Sequence, residues 1–212
     1  MSTISWDHSM REFVQQAASS SPTPGGGSVA ALVAALGAAM TSMVGNLSQG
    51  AKFAHIQPQI TDVIEQMNTL SATCEVLLHD DIASFNKYME ALKLPKNTEE
   101  EQSIRKNSLH EAAIHAIDVP LRLIEICKAG LVCTHSIAES SNKNVISDLG
   151  IGAILFEAAA QSALLTVEIN LVSLKDIELK RQYSHNLYSL MNEIGELKTK
   201  VVQVTRTRMM ST

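Results

Sequence analysis

Apolar side chains recur along most of this chain at steps of three and four residues, the spacing that puts them on one face of an α-helix, and no segment alternates as a strand would. Ser9 followed by Glu12 has capping-box spacing, and Met10, Phe13, Val14 and Ala17 then make one face of a first helix that runs out in Ser19, Ser20 and Ser21. Pro22, Thr23 and Pro24 with Gly25, Gly26 and Gly27 form a loop, and a second helix begins near Ser28. From Val29 to Val44 its only polar side chains are Thr41 and Ser42. That run falls short of the ~20 residues a bilayer core requires, so it is expected to be a buried helix whose Ala and Gly residues admit close neighbours.

A third helix is expected from about Pro58 to Leu92, with Ile60, Val63, Ile64, Met67, Leu70, Cys74, Leu77 and Leu78 in register. Lys93 to Asn97 is a turn, and Thr98 with Glu101 repeats the capping-box spacing. The fourth helix heads toward Glu139 but meets Pro120, which predicts a kink or split after Val119. After a loop at 140–144, an Ala-rich helix is expected from about Ser147 to Leu174, and Ser173 or Asp176 can start a last one. There Tyr183, Leu187, Leu190, Ile194, Leu197, Val201 and Val204 form one stripe, expected to pack on its own domain, with a coiled-coil contact as the competing reading.

Composition points the same way: of 212 residues 45% are hydrophobic but only 4% aromatic, which suits helices better than strands. The expectation is all-α, a single-domain bundle of about six helices spanning residues 1–212 with central Ala/Gly-rich helices. A net charge of -5 without a basic block argues against nucleic acid and anionic membrane surfaces as partners. Cys74, Cys127 and Cys133 make neither a disulfide framework nor a zinc knuckle, so a reduced, cytoplasmic protein is expected.

Gly25, Gly26, Gly27, Ser28, Val29 and Ala30 satisfy the letters of a dinucleotide fingerprint, but no strand feeds the glycines and a Rossmann site is rejected. Their backbone N–H groups, at the positive end of a helix, suit an anion or a polar ring; a tight turn for packing explains them equally. His110 and His115 are five apart and share no ligand face, and no metal site is expected. Glu99, Glu100 and Glu101 suit a helix start. Asp148 enters an apolar run and Asn170 lies deep in another, so each needs a partner, although Asp148 also suits a helix cap. Asp80 and Asp81 are either a solvated pair or, where one faces a cleft, an acid-base group.

An ordered set of motifs runs through almost the whole chain: S-P-T-P-G-G-G-S-V-A-A at Ser21 to Ala31, A-L-G-A-A at Ala35 to Ala39, and D-x-x-x-F at Asp81 and Phe85. L-P-K at Leu94 to Lys96 follows, with Arg105 downstream and V-P-L at Val119 to Leu121. N-K-N-V-I-S-D at Asn142 to Asp148 and I-N-L at Ile169 to Leu171 complete it. In these the chain resembles the cyclodeaminase/cyclohydrolase family of folate enzymes, with Thr166 standing where that pattern suggests Asn. The resemblance implies an all-helical homodimer that binds a tetrahydrofolate derivative, with no cofactor beyond the folate carrier that is part of the substrate. It implies one of two reactions, ring closure of 5-formimidoyltetrahydrofolate to 5,10-methenyltetrahydrofolate with release of ammonia, or hydrolysis of the methenyl form to 10-formyltetrahydrofolate. The first is preferred. On this resemblance Asp148 or Asp81 would be the acid-base carboxylate, and Lys96 and Arg105 would meet the folate tail or move a proton. Gly25, Gly26, Gly27 and Ser28 would shape the pocket, and Asn144 and Asn170 would hydrogen-bond the ring. Were only the fold shared, the chain would be a helical interaction protein using the Tyr183 to Val204 stripe.

Overall fold

The computed structural model describes residues 4–211, and among them it contains helices and no strand. Six α-helices follow in order: α1 (Met10–Ala17), α2 (Gly26–Asn46), α3 (Gln57–Lys93), α4 (Glu99–Ser136), α5 (Ile146–Ser173) and α6 (Ile177–Met210). Short 3-10 segments, Ala51–Ile56 and Lys143–Val145, lead into α3 and α5. The capping boxes at Ser9 with Glu12 and Thr98 with Glu101 both form, and the Asp176 side chain caps α6.

α2 packs between α3 and α5, α4 lies across α3 and α5, and α6 covers α5 and α4. Their inner faces form one core cluster. Its centre is the fully buried Phe156 ring on α5, and glycines make room for it: a Cβ on Gly37 would lie 3.2 Å from the ring and one on Gly130 only 2.3 Å. Beside it the buried hydroxyls of Thr41 and Thr134 join α2 to α4 through a 2.9 Å hydrogen bond. The stripe on α6 turns inward, with Leu187, Ile194 and Val201 buried and Tyr183, Leu190, Leu197 and Val204 half-buried against the core. It packs on its own chain.

Three details depart from the sequence expectation. α2 starts at Gly26, so two of the three glycines are helical rather than loop. It is also 21 residues long rather than too short for a membrane, and it and the segment 143–173 are long and apolar enough to cross one by length and composition alone. Against α3 and α5, however, 56% of the apolar window of α2 is buried, as in a core helix. Finally, α4 is not split at Pro120 and runs without interruption to Ser136. Proline at 120 cannot donate to the carbonyl of Ala116, four residues back. The Asn170 side chain does so instead, its Nδ2 donating to Ala116 O at 2.7 Å from α5. The orphaned acceptor is satisfied from outside the helix, so α4 continues.

Candidate active site

The N-terminus of α2 has no side-chain cap of its own, because the N-cap residue is Gly25. Asp81 reaches it from the middle of α3. Its Oδ2 accepts a 2.7 Å hydrogen bond from Ser28 Oγ, and the carboxylate lies so close to Gly27 that a Cβ there would sit 2.2 Å from Oδ1. The glycine is required for close approach, and the positive end of α2 faces the acid. Burial pushes the Asp81 carboxyl above its ordinary range, opposed by hydrogen bonds from the Ser28 side chain and backbone. A carboxyl held in that balance can give up and take back a proton during a reaction. Thr166 on α5 borders the same spot, its Oγ1 4.0 Å from where a Gly26 Cβ would be.

At the same end of the bundle a cleft of about 490 Å3 opens between α3, α4 and the turn after α5. Lys96 and Arg105 line it together, joined by Lys106, His110 and Lys175, with Tyr88 on one wall. Arg105 is held by an Nη2 hydrogen bond to Leu92 O at 3.1 Å, while its buried Nε has no protein partner. Tyr88 follows Asp81 by seven residues on α3, and Ser173 follows Thr166 by seven on α5, so the basic cleft begins about 10 Å along the bundle from Asp81 at helical rise. Lys106, His110 and Lys175 were not legible as site residues, since each is one exposed polar group among many until α3, α4 and the end of α5 converge.

The remaining candidates are elsewhere. Asn170 is part-buried with its Nδ2 committed to Ala116 O. Asn144 is exposed, its backbone N–H donating to Asn142 Oδ1, and Asn142 in turn fastens this loop to the far end of α2 through Ser48 Oγ and Leu47 O, both at 2.8 Å. Asp148 is half-buried in the first turn of α5, near the helix's positive end, with Val145 in the capping position. On α5 Asp148 precedes Thr166 by eighteen residues, five full turns and about 27 Å of rise, so it faces the same side as Thr166 but at the opposite end. Within one chain Asp81 and Asp148 do not share a site. Among the described residues no group of three or more His, Cys, Asp or Glu is placed to hold a metal ion.

The model of the formiminotransferase-cyclodeaminase family matches residues 9–189. A methenyltetrahydrofolate cyclohydrolase from Methylorubrum extorquens is 34% identical over 95% of this chain and 98% of its own length. The formimidoyltransferase-cyclodeaminase of Mus musculus is 38% identical over 88% of this chain, which covers only 35% of that longer protein. A crystal structure of formiminotetrahydrofolate cyclodeaminase from Thermotoga maritima superposes with a TM-score of 0.86 at 28% identity, covering 95% of this chain and 97% of that one. With the glycine-led helix, its tertiary acid cap and the adjoining basic cleft, these matches lead to one conclusion: the chain belongs to the formiminotransferase-cyclodeaminase family.

Proposed function

We propose that this protein is a folate-dependent one-carbon enzyme that closes the ring of 5-formimidoyltetrahydrofolate to 5,10-methenyltetrahydrofolate and releases ammonia. The observation that carries this reading is the pairing, at one end of the bundle, of a half-buried hydrogen-bonded carboxyl with a cationic cleft about 10 Å away at helical rise. A pterin carrying the one-carbon group has its reacting nitrogens at one end and an anionic glutamate at the other, with an aminobenzoyl spacer between them. In this assignment Gly25, Gly26, Gly27 and Ser28 border the ring, Asp81 faces the carbon, and Lys96 and Arg105 receive the carboxylates of the tail.

The chemistry follows from the placement of Asp81. N10 of the substrate attacks the carbon of the protonated formimidoyl group, forming the new C–N bond as the C=N electron pair moves to the exocyclic nitrogen. Asp81 accepts the N10 proton and returns it to the exocyclic nitrogen, whose bond to carbon then breaks as ammonia leaves. The carboxylate that remains faces the cationic methenyl product. The unit that performs this is a homodimer, supported by the apolar face of α5 that the single chain leaves uncovered.

A second reading is the hydrolytic direction, favoured by the cyclohydrolase from Methylorubrum extorquens that matches over 98% of its length. In that reaction Asp81 takes a proton from water as the oxygen bonds to the methenyl carbon, then gives it to N5 as the C–N5 bond breaks, and the remaining hydroxyl proton is lost to solvent as the N10-formyl carbonyl forms. One absorbance experiment separates them. Growth of the methenyl band from 5-formimidoyltetrahydrofolate is expected, and it should fall by at least about 100-fold in Asp81→Asn, the range for loss of an acid-base group. Accelerated loss of 5,10-methenyltetrahydrofolate without the first activity would replace this reading with the hydrolytic one, and no enzyme-dependent change in either cuvette would overturn both.

A further inference from the structure

Two side chains stand over the first turn of α2, one from each of the helices that flank it. Asp81 comes from α3 and lies against Gly27, while Thr166 comes from α5 and lies across Gly26, its Oγ1 4.0 Å from where a Cβ would be. Successive residues of a helix point about 100° apart, so the acid and the hydroxyl face this helix end from neighbouring sides. The backbone between them is unpaired on its donor side. The first bond within α2 runs from the Val29 N–H to Gly25 O at 3.0 Å, which leaves the N–H groups of Gly26 and Gly27 without a helical acceptor. A Cβ on Gly26 would meet nothing nearer than Thr166 Oγ1, so the space beside that hydroxyl admits a ligand atom.

Thr166 is half-buried there, and its own helix sets the direction of its hydroxyl. Oγ1 donates to the carbonyl of Ser162, four residues back, at 3.3 Å. A hydroxyl has one proton, so with that proton committed the side chain offers the site only its oxygen lone pairs. Asp81 is placed in a similar way: its Oδ2 is taken by Ser28 Oγ at 2.7 Å, which leaves Oδ1, the oxygen beside Gly27, able to accept. The head of α2 therefore turns two side-chain acceptors toward a reacting group, and a substrate group rich in N–H satisfies both. In the ring closure proposed above that group is the exocyclic nitrogen, which bears two N–H bonds in the protonated formimidoyl group and three once Asp81 has protonated it. We propose that Thr166 accepts a hydrogen bond from this nitrogen and orients it for proton transfer from Asp81, which makes Thr166 a further residue of the reacting centre. This rests on the assignment of Asp81 to the reacting end of the substrate.

The test is a pair of substitutions at this position, followed by the methenyl absorbance of 5-formimidoyltetrahydrofolate turnover. Thr166→Val keeps the shape and removes the acceptor. Because the lost hydrogen bond is one to a charged group, kcat is expected to fall about 10- to 100-fold while KM changes by less than about two-fold. Thr166→Ser keeps both the hydroxyl and its bond to the Ser162 carbonyl, and should hold kcat within about three-fold of wild type. A second readout does not depend on turnover: tetrahydrofolate has no exocyclic formimidoyl nitrogen, so the rise it causes in melting temperature is expected to be the same in wild type and both variants. Wild-type kcat in Thr166→Val overturns the proposal. A fall shared by Thr166→Ser, or a tetrahydrofolate shift lost from Thr166→Val, overturns it as well, since either makes the residue structural. Failure of the wild-type protein itself to convert 5-formimidoyltetrahydrofolate removes the assigned reaction and the role of Thr166 together, whereas an active wild type matched by Thr166→Val removes Thr166 alone.

Discussion

Gly26 and Gly27 are neighbours in sequence and in the first turn of α2, yet adding one methyl group to each has opposite consequences. At Gly27 the new carbon would sit 2.2 Å from Asp81 Oδ1 and 2.6 Å from Cγ, so the carboxylate must swing away from Ser28. What is lost is the 2.7 Å Ser28–Asp81 hydrogen bond. A hydrogen bond to a charged group contributes about 1.5–3 kcal/mol; release of the acid toward solvent returns part of it and the helix gains about 0.5–1 kcal/mol from losing a glycine, so a net cost of about 0.5–1.5 kcal/mol is expected for Gly27→Ala. At Gly26 the added carbon has only Thr166 Oγ1 at 4.0 Å, an ordinary contact, while the helix gains about 0.5–1 kcal/mol from replacing a flexible residue. Urea unfolding of the two variants beside wild type reads these energies, and the methenyl absorbance assay reads the position of the carboxylate. Gly27→Ala is expected to lose stability and most of its turnover, and Gly26→Ala to hold or gain stability. Equal behaviour of the two would refute the argument that Asp81 is seated by the absent side chain at Gly27.

Asn170→Ala leaves the Ala116 carbonyl without a donor and should cost about 1–3 kcal/mol, whereas in a Pro120→Ala background the restored backbone N–H makes the same change nearly neutral. A double-mutant cycle by urea unfolding checks this, and additive single effects would show that Asn170 does not stand in for the missing donor. The Asp81 carboxyl is raised in the fold, so the native state binds more protons than the unfolded chain between the ordinary carboxylate pKa and the raised one. Its contribution to stability therefore falls as pH rises through that window, and Asp81→Asn should remove this component from the pH dependence of the melting temperature. An unchanged profile in the variant would mean that the carboxyl is not raised by burial.

Much of the fold was legible because helical periodicity is a local property. Ser9 with Glu12, Thr98 with Glu101 and Asp176 mark starts that form as their spacing requires, since a cap is satisfied within one turn of its own helix. The all-helical class and the inward α6 stripe follow from apolar spacing alone. Pro120 was misleading for the same reason: its local effect is to break a helix, and the donor that cancels it comes from Asn170, about fifty residues away in sequence. The start of α2 likewise moved into the glycines because Asp81 supplies a cap from another helix.

The candidate site divides along this line. The motifs named Asp81, Asp148, the glycines, Lys96, Arg105, Asn144 and Asn170, but spacing along a chain does not measure distance across a bundle. Packing put Asp81 on Gly27 and Ser28 and drew Lys96 and Arg105 into one cleft with Lys106, His110 and Lys175. It also set Asp148 five turns of α5 away and occupied Asn170 with the α4 backbone. The sequence by itself determined which residues have the chemistry and which helices carry them, because both depend on side-chain type and local repeat. Only the tertiary structure decided which of them meet, and how far burial raises the one carboxyl among them, because those depend on where separate helices come into contact.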